Sequence, residues 1–172
     1  MNQFSDLSNS SASDQPAALN KQFIAFAVGG REFGVDIMSV REIRGWSGTT
    51  PIPNSPPSVL GVVNLRGTIV PVIDLRVCFN IERTEPSRTH VVFIVKIGDR
   101  IVGLLVDSVS DILSVRDTDI QPIREVEESS RDSAVSQIIV LEGRLVGVIS
   151  LEKLMGQYML DSVVRGAEQA LN

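Results

Sequence analysis

The arrangement of apolar and polar positions from Phe23 onward predicts β-structure. Short apolar runs alternate with tight polar pairs that contain glycine, and this design recurs four times. The copies are FIAFAVGGREFGVDI from Phe23, GVVNLRGTIVPVID from Gly61, VVFIVKIGDRIVGLLVD from Val91 and QIIVLEGRLVGVIS from Gln137. Each copy has an apolar strand, a turn and a second apolar strand, which is the pattern of a β-hairpin.

The polar pairs have the residue types of two-residue hairpin turns. Gly29-Gly30, Gly98-Asp99 and Glu142-Gly143 supply the positive φ angles that such turns require. Arg66-Gly67 does the same with a less usual first residue. We therefore expect four hairpins.

A longer repeat contains these hairpins. The segment VDIMSVREI from Val35 follows the first hairpin and resembles VDSVSDILS from Val106, which follows the third. Closing each sheet on itself removes exposed strand edges, so the simplest architecture is all-β, with two small barrels in tandem. The first barrel is predicted over residues 22–81 and the second over residues 88–150.

The remaining segments differ in character. Residues 1–20 lack apolar periodicity and predict a disordered tail, and the polar stretch 124–136 predicts a surface loop. Ser55 as an N-cap, followed by Pro56, predicts a one-turn helix. Behind Ser150, apolar residues at helical spacing predict a C-terminal helix over residues 151–165 that packs on a barrel.

Composition narrows the class of protein. The 172 residues are 43% hydrophobic and 22% charged, which is typical of a globular chain. A net charge of −5 argues against nucleic-acid binding, which depends on clustered Lys and Arg. Cys78 is the only cysteine, and no signal sequence or membrane-length apolar run is present, so the cytoplasm is the expected location.

Reactive groups are not clustered along the sequence. His90 is the only histidine and begins an apolar run, where a strand-end residue is expected more often than a general base. Cys78 lies among apolar neighbours as a small buried residue would. Asp74 and Asp107 end apolar strands, where acids are usually solvated or bond to a turn. We predict no catalytic residue, no metal site and no cofactor, and hence no enzyme.

The stretch from Phe33 to Leu75 resembles a known family. The strings FGVDIMSVREIRGW and TPIPNSPPSVLGVVNLRGTIVPVIDLR are similar to the CheW family of chemotaxis coupling proteins. GDRIVGLLVDSVSDILSV and GRLVGVISLEKLM look like that family's second half. The resemblance covers residues 23–160 and is most specific in VREIRG, PNSPPSVLGVVNLRG and IVPVIDLR.

This resemblance implies two five-stranded, SH3-like barrels with short helices, packed around a shared core. It also implies an adaptor that binds the cytoplasmic tips of chemoreceptors, the methyl-accepting chemotaxis proteins, and the regulatory domain of the histidine kinase CheA. The adaptor would be cytoplasmic and recruited to membrane-associated receptor arrays. It implies a receptor groove between the barrels with the contact residues Ile37, Val40, Glu42, Arg66, Val91 and Val92, among which Glu42 and Arg66 match the family's charged pair beside the groove. The implied kinase contacts are Ile112, Gln121 and Val126.

Other interpretations fit parts of the sequence. Arg66 by itself is a solvated turn charge, and only the resemblance assigns it to a partner. The alternative within the same class is a paralogous adaptor of a pili or second-messenger chemosensory system. A barrel that binds a small molecule is the alternative from another class, although the large aliphatic residues of the strands argue against it.

Overall fold

The structure is a computed structural model, and it describes residues 20–123 and 134–158. The predicted tail up to residue 19, most of the predicted surface loop and residues 159–165 of the predicted C-terminal helix lie outside these ranges.

The described chain is mostly β-structure, as predicted. The strands are β1 Lys21–Val28, β2 Arg31–Asp36, β3 Val40–Gly45, β4 Val59–Leu65, β5 Thr68–Asp74, β6 Val91–Ile97, β7 Arg100–Val106, β8 Ser108–Val115, β9 Ile120–Pro122, β10 Val135–Leu141 and β11 Arg144–Ile149. The helices are α1 Leu75–Cys78 and α2 Leu151–Tyr158, and short 3₁₀ turns occupy Ile37–Ser39 and Asp117–Asp119.

All four predicted hairpins form. The pairs β1–β2, β4–β5, β6–β7 and β10–β11 are antiparallel and meet at the predicted two-residue turns. Arg66 and Gly67 have φ angles of 49° and 87°, so Arg66 occupies the left-handed region that its turn requires. Glu142 and Gly143 repeat this geometry with φ angles of 50° and 76°.

The pairing of the hairpins corrects the predicted barrel boundaries. In the described ranges, one sheet has six strands in the order β8-β1-β2-β11-β10-β9, and the other has five in the order β3-β6-β7-β5-β4. The first hairpin therefore joins strands of the second half, and the third hairpin joins strands of the first half. The assignment of one barrel to residues 22–81 and the other to 88–150 is wrong, because each sheet takes strands from both halves.

A short turn carries the chain from β2 in the six-stranded sheet to β3 in the five-stranded sheet. Asp36 ends β2, and its Oδ1 accepts a hydrogen bond from the backbone N–H of Met38 at 2.8 Å, which caps the 3₁₀ turn. The chain then enters β3, which pairs with β6 of the five-stranded sheet. The apolar pattern is the same whether a hairpin pairs within its own half or across halves, so the pattern could not distinguish the two.

The duplication read from the sequence is visible in the backbone. A register shift falls between Val59 and Gly61 in β4, and another falls between Val135 and Gln137 in β10. The last residues of β5 and β11 pair with these bulged strands in matching registers. The two sheets are thus built on one plan, and positions in one have counterparts in the other.

The core consists of three apolar clusters. The largest joins the two sheets, and the rings of Phe26 from β1 and Phe93 from β6 lie 5.2 Å apart within it. Successive strand residues face opposite sides, so Val92 and Ile94 belong to a separate cluster of the five-stranded sheet. A third cluster fills the six-stranded sheet. Each fully buried large side chain contributes about 1.5 to 3 kcal/mol of folding free energy.

The helices differ in part from prediction. The predicted one-turn helix after Ser55 is wrong, because the Ser55 hydroxyl donates to the carbonyl of Ile52 at 3.0 Å instead of capping a helix. Helix α2 begins at Leu151 as predicted, and the Ser150 hydroxyl accepts from the N–H of Lys153 at 3.3 Å. Leu151 and Leu154 are buried in the central cluster, so this helix packs on the sheets.

Candidate functional site

An exposed ion pair lies beside the gap between β3 and the β4–β5 hairpin. The Nη2 of Arg66 donates to Oε2 of Glu42 at 3.0 Å, and the Nε of Arg44 lies 3.8 Å from Oε1 of Glu42. The Arg66 side chain is 81% exposed, so the pair contributes only about 0 to 1 kcal/mol to folding. Most of the guanidinium remains open to a partner.

The turn fixes the position of Arg66. Asn64 accepts a hydrogen bond from the N–H of Gly67 through Oδ1 at 2.8 Å, which ties the turn to its strand. Glu42 then anchors the side chain from the facing strand. The family resemblance paired these two charged residues, and the structure joins them although they are 24 positions apart.

The apolar residues predicted to bind receptors do not share one surface. Ile37, Val40 and Val91 are partly buried and pack against the central cluster. Val92 is only 6% exposed and belongs to the cluster of the five-stranded sheet. Neighbours on a strand face opposite sides, so the structure does not bring Val92 to the surface that Val91 occupies.

The residues predicted to bind the kinase lie in the six-stranded sheet. Ile112 is 58% exposed on β8, where it pairs with Ile24 of β1. Gln121 is exposed on β9, opposite Ile138 of β10. Val126 lies outside the described residues. β8 and β9 are the two outer strands of this sheet.

The internal repeat reveals a position that sequence reasoning missed. Ile43 pairs with Phe93 in β6, as Ile112 pairs with Ile24 in β1, and both isoleucines are exposed on outer strands. The repeat within the sequence aligns Ile43 with Ser114, so no sequence signal pointed to this position, and only the strand register matches Ile43 to Ile112.

The six-stranded sheet has an ion cluster that corresponds to the Glu42–Arg66 pair of the five-stranded sheet. Arg144 donates to both carboxylate oxygens of Glu32 at 3.1 and 2.6 Å, and to both of Asp111 at 3.1 Å. These hydrogen bonds hold the pKa of Asp111 below its usual value. Asp111 is the register counterpart of Glu42, so each sheet pairs an acid of its outer strand with an arginine of a hairpin.

The two acids at strand ends, Asp107 and Asp74, bond to turns, which is one of their two expected roles, but they are largely shielded from solvent. Asp107 accepts from the guanidinium of Arg76 at 2.8 and 2.6 Å and from the N–H of Gly29 at 2.8 Å. Burial opposes its charged form, but these hydrogen bonds outweigh that effect and lower the pKa of Asp107. His90 lies close by, with its Nε2 3.8 Å from the Oδ1 of Asp107. The solvated alternative fails because the strand ends meet where the two sheets join.

Asp74 lies in the same junction. It is 1% exposed, and its Oδ1 accepts from the N–H of Arg76 at 3.0 Å to cap α1. Its Oδ2 makes no hydrogen bond within the described residues and lies 4.0 Å from the Nε of Arg83. Burial raises the pKa of Asp74, and the capping hydrogen bond only partly opposes this.

Two adjoining cavities lie in the gap between β3 and β4. One of about 400 Å³ has Trp46, Val92 and Ile94 in its wall, and the other of about 480 Å³ lies beside Glu42 and Arg66. Over residues 20–123 and 134–158, no group of His, Cys, Asp and Glu could hold a metal ion. No helix in those ranges has the length and apolar content required to cross a bilayer.

These features define a class of protein. The protein has two sheets on one plan, a shared apolar core, and in each sheet one outer strand, β3 or β8, that carries an exposed isoleucine beside an acid–arginine pair. Such a surface suits recognition of other proteins.

Comparison with known proteins gives the family. The profile of the CheW-like domain matches residues 22–158. The chain is 43% identical over 134 residues to the chemotaxis protein CheW of Rhizobium meliloti, covering 78% of this chain and 86% of that protein. It is 42% identical over 138 residues to the probable chemotaxis protein CheW of Rhizobium etli, covering 80% and 89% respectively. The chain belongs to the CheW-like family.

A solved structure supports the same family assignment. The crystal structure of the scaffolding protein TtCheW from Thermoanaerobacter tengcongensis superposes with a TM-score of 0.74 at 30% identity. The match covers 79% of this chain and 92% of that one. The two-sheet β fold is therefore the fold of a known scaffolding protein.

Proposed function

We propose that this protein is a non-catalytic adaptor that couples chemoreceptors to the histidine kinase CheA in chemosensory arrays. Membership of the CheW-like family supports the role, since relatives across 78% to 80% of the chain are chemotaxis proteins. The observation that carries the proposal is the pair of Glu42 and Arg66, joined at 3.0 Å with the guanidinium exposed.

The receptor tip is proposed to bind at the five-stranded sheet and the adjacent edge of the central core. Arg66 would meet an acidic or carbonyl oxygen on the receptor helix, because its fork of donors is oriented by Glu42. Ile37, Val40 and Val91 would supply apolar contact. Val92 would support the sheet from behind, since it is buried.

The kinase regulatory domain is proposed to bind the six-stranded sheet. Ile112 presents an exposed aliphatic side chain on an outer strand, and Gln121 lies on the other outer strand. Val126 is assigned to this surface through the family resemblance alone. Two partners on two different sheets would allow one adaptor to bridge them in a cytoplasmic array at the membrane.

The experiment is a charge reversal. Arg66→Glu should lower binding to receptor-containing membranes by at least about tenfold, because it replaces the oriented guanidinium with a second acid beside Glu42. Co-sedimentation measures the receptor interaction, and binding to the CheA regulatory domain should remain.

The matched control is Arg88→Glu, which makes the same charge change on an exposed residue of the link before β6. It should leave co-sedimentation unchanged. Full receptor binding by Arg66→Glu would remove the site assignment, and failure of the unmodified protein to bind either partner would remove the function.

A paralogous adaptor of a pili or second-messenger system would use the same surfaces. Co-sedimentation with membranes from strains that contain a single receptor system separates these pathways.

A further inference from the structure

The two sheets differ at one pair of corresponding edges. In the six-stranded sheet, β9 covers the edge of β10 along Gln137, Ile138 and Ile139. In the five-stranded sheet, the described residues place only one bridge on the edge of β4, between Thr50 and Val62. The rest of that edge, up to the turn at Arg66, borders the cavity of about 400 Å³.

Comparison of the strand registers shows that the five-stranded sheet lacks an aliphatic side chain at this edge. In both strands the hairpin turn begins four residues after the bridged position, at Arg66 after Val62 and at Glu142 after Ile138, so Thr50 corresponds to Gln121 and Thr49 to Ile120. Ile120 packs into the apolar cluster of the six-stranded sheet. The Thr49 hydroxyl instead donates to the carbonyl of Leu60 at 3.1 Å. The five-stranded sheet thus lacks an aliphatic side chain where its counterpart has one.

The cavity wall suits such a side chain. Val92 and Ile94 of β6 and Val63 and Leu65 of β4 line it, and all four belong to or pack against the apolar cluster of this sheet. Trp46, the only tryptophan of the chain, lies in the same wall.

The backbone of β4 offers hydrogen bonds in the same place. The N–H and C=O of Val62 point away from β5, because both bond to Thr50, at 2.8 and 2.9 Å. Outward groups recur every second residue on an antiparallel strand, so those of Asn64 also point away from β5. Within the described residues they have no backbone partner on that side.

The charged side chains around the gap between β3 and β4 indicate the charge of the partner that would bind there. Arg41, Arg44, Arg66 and Lys96 line the two adjoining cavities, against the acids Glu42 and Asp99. This edge is therefore cationic on a chain whose net charge is −5. Electrostatic complementarity favours an acidic occupant.

We propose that the free edge of β4 binds an extended, acidic peptide segment of a partner protein by β-addition. The segment would continue the ladder that Thr50 begins, bond to the backbone of Asn64 and place an aliphatic side chain against Val92 and Ile94. Strand addition to a sheet edge takes its affinity from such main-chain bonds and its specificity from alternate side chains. This site is separate from the proposed surface on the six-stranded sheet, borders Arg66 of the proposed receptor surface, and does not depend on the adaptor role.

The probe is a capped hexapeptide of alternating valine and glutamate. Titration should shift the fluorescence of Trp46 and the amide resonance of Asn64. A peptide of alternating valine and lysine should bind at least about tenfold more weakly, because the gap is cationic. The valine–glutamate peptide with N-methylated backbone nitrogens should also lose binding, since it cannot donate to the strand.

Two variants test the site itself. Thr49→Ile supplies the missing side chain from within and should abolish binding, whereas Thr118→Ile, the same change in an exposed 3₁₀ turn, should not. Arg44→Glu should weaken binding about tenfold, and Arg31→Glu on the six-stranded sheet should not. Arg44 is exposed, so this second variant still tests the site if Thr49→Ile fails to fold. Equal binding of both charged peptides, or unchanged binding by Arg44→Glu, would overturn the proposal.

Discussion

Asp107 holds the guanidinium of Arg76 through two hydrogen bonds, 2.8 Å from Nε to Oδ1 and 2.6 Å from Nη2 to Oδ2. Both side chains are about four-fifths buried, at 21% and 18% exposed. Asp107 follows β7 of the five-stranded sheet, and it also accepts from Gly29 in the first turn of the six-stranded sheet. The pair therefore fastens the two sheets together where the exchanged hairpins cross.

The first prediction concerns this junction. Asp107→Asn should lower the free energy of unfolding by about 3 kcal/mol at neutral pH, because Arg76 would be left largely buried without its counter-charge. The pKa of Asp107 is below its ordinary value of 3.8 in the folded protein, so its stabilisation is present above that value. The difference between variant and unmodified protein should shrink as pH falls through the lowered pKa, measured by urea unfolding.

A matched control is Asp99→Asn in the exposed turn between β6 and β7. This change should alter the unfolding free energy by less than about 0.5 kcal/mol. Equal effects of the two substitutions would contradict a special role for Asp107.

The second prediction concerns Asp74, whose pKa burial raises above the ordinary value of 3.8. The folded protein then binds a proton more readily than the unfolded chain. The free energy of unfolding therefore falls as pH rises from 3.8 through the raised pKa of Asp74, where the buried carboxyl group becomes charged. Asp74→Asn keeps an N-cap side chain for α1 without a charge. The unfolding free energy of Asp74→Asn should therefore increase relative to that of the unmodified protein as pH rises. A difference between the two urea curves that does not change with pH would contradict this.

The third prediction concerns Gly61, at the bulge of β4. Its φ angle is 144°, and a Cβ there would lie 2.3 Å from the carbonyl oxygen of Thr50. Gly61→Ala should lower the unfolding free energy by about 2 to 4 kcal/mol, because backbone must move and the Thr50–Val62 bridge would break. Gly45→Ala on β3 is the control, since a Cβ there meets nothing within 4 Å. Thermal unfolding that ranks the two variants equally would be inconsistent with this clash.

The fourth prediction tests the proposed kinase surface. Ile112→Asp should weaken binding to the CheA regulatory domain by at least about tenfold, because it places a charge in an apolar contact. Calorimetric titration measures this affinity. Leu145→Asp, at a side chain 66% exposed near the β10–β11 turn, should bind as the unmodified protein does. Loss of binding in both variants would mean that Ile112 is not a specific contact.

Local chemistry made part of the structure predictable. Arg66-Gly67 and Glu142-Gly143 form the expected turns because the choice of backbone region depends on a few adjacent residues. The Glu42–Arg66 contact was also predicted, but through family resemblance and not from spacing, since Glu42 lies on β3 and Arg66 lies in the turn of the β4–β5 hairpin.

By itself, the sequence determined the four hairpins, the α2 helix, the internal repeat and the family, because these depend on local backbone preferences and on residue order. Only the tertiary structure decided which hairpin joins which sheet, since apolar faces of similar pattern are buried equally well in either pairing. That exchange placed Asp107 and Asp74 in a junction instead of in solvent, and it left the edge of β4 beside a cavity while β9 covers the corresponding edge of β10. Contacts between distant segments set these features, and no local pattern records them.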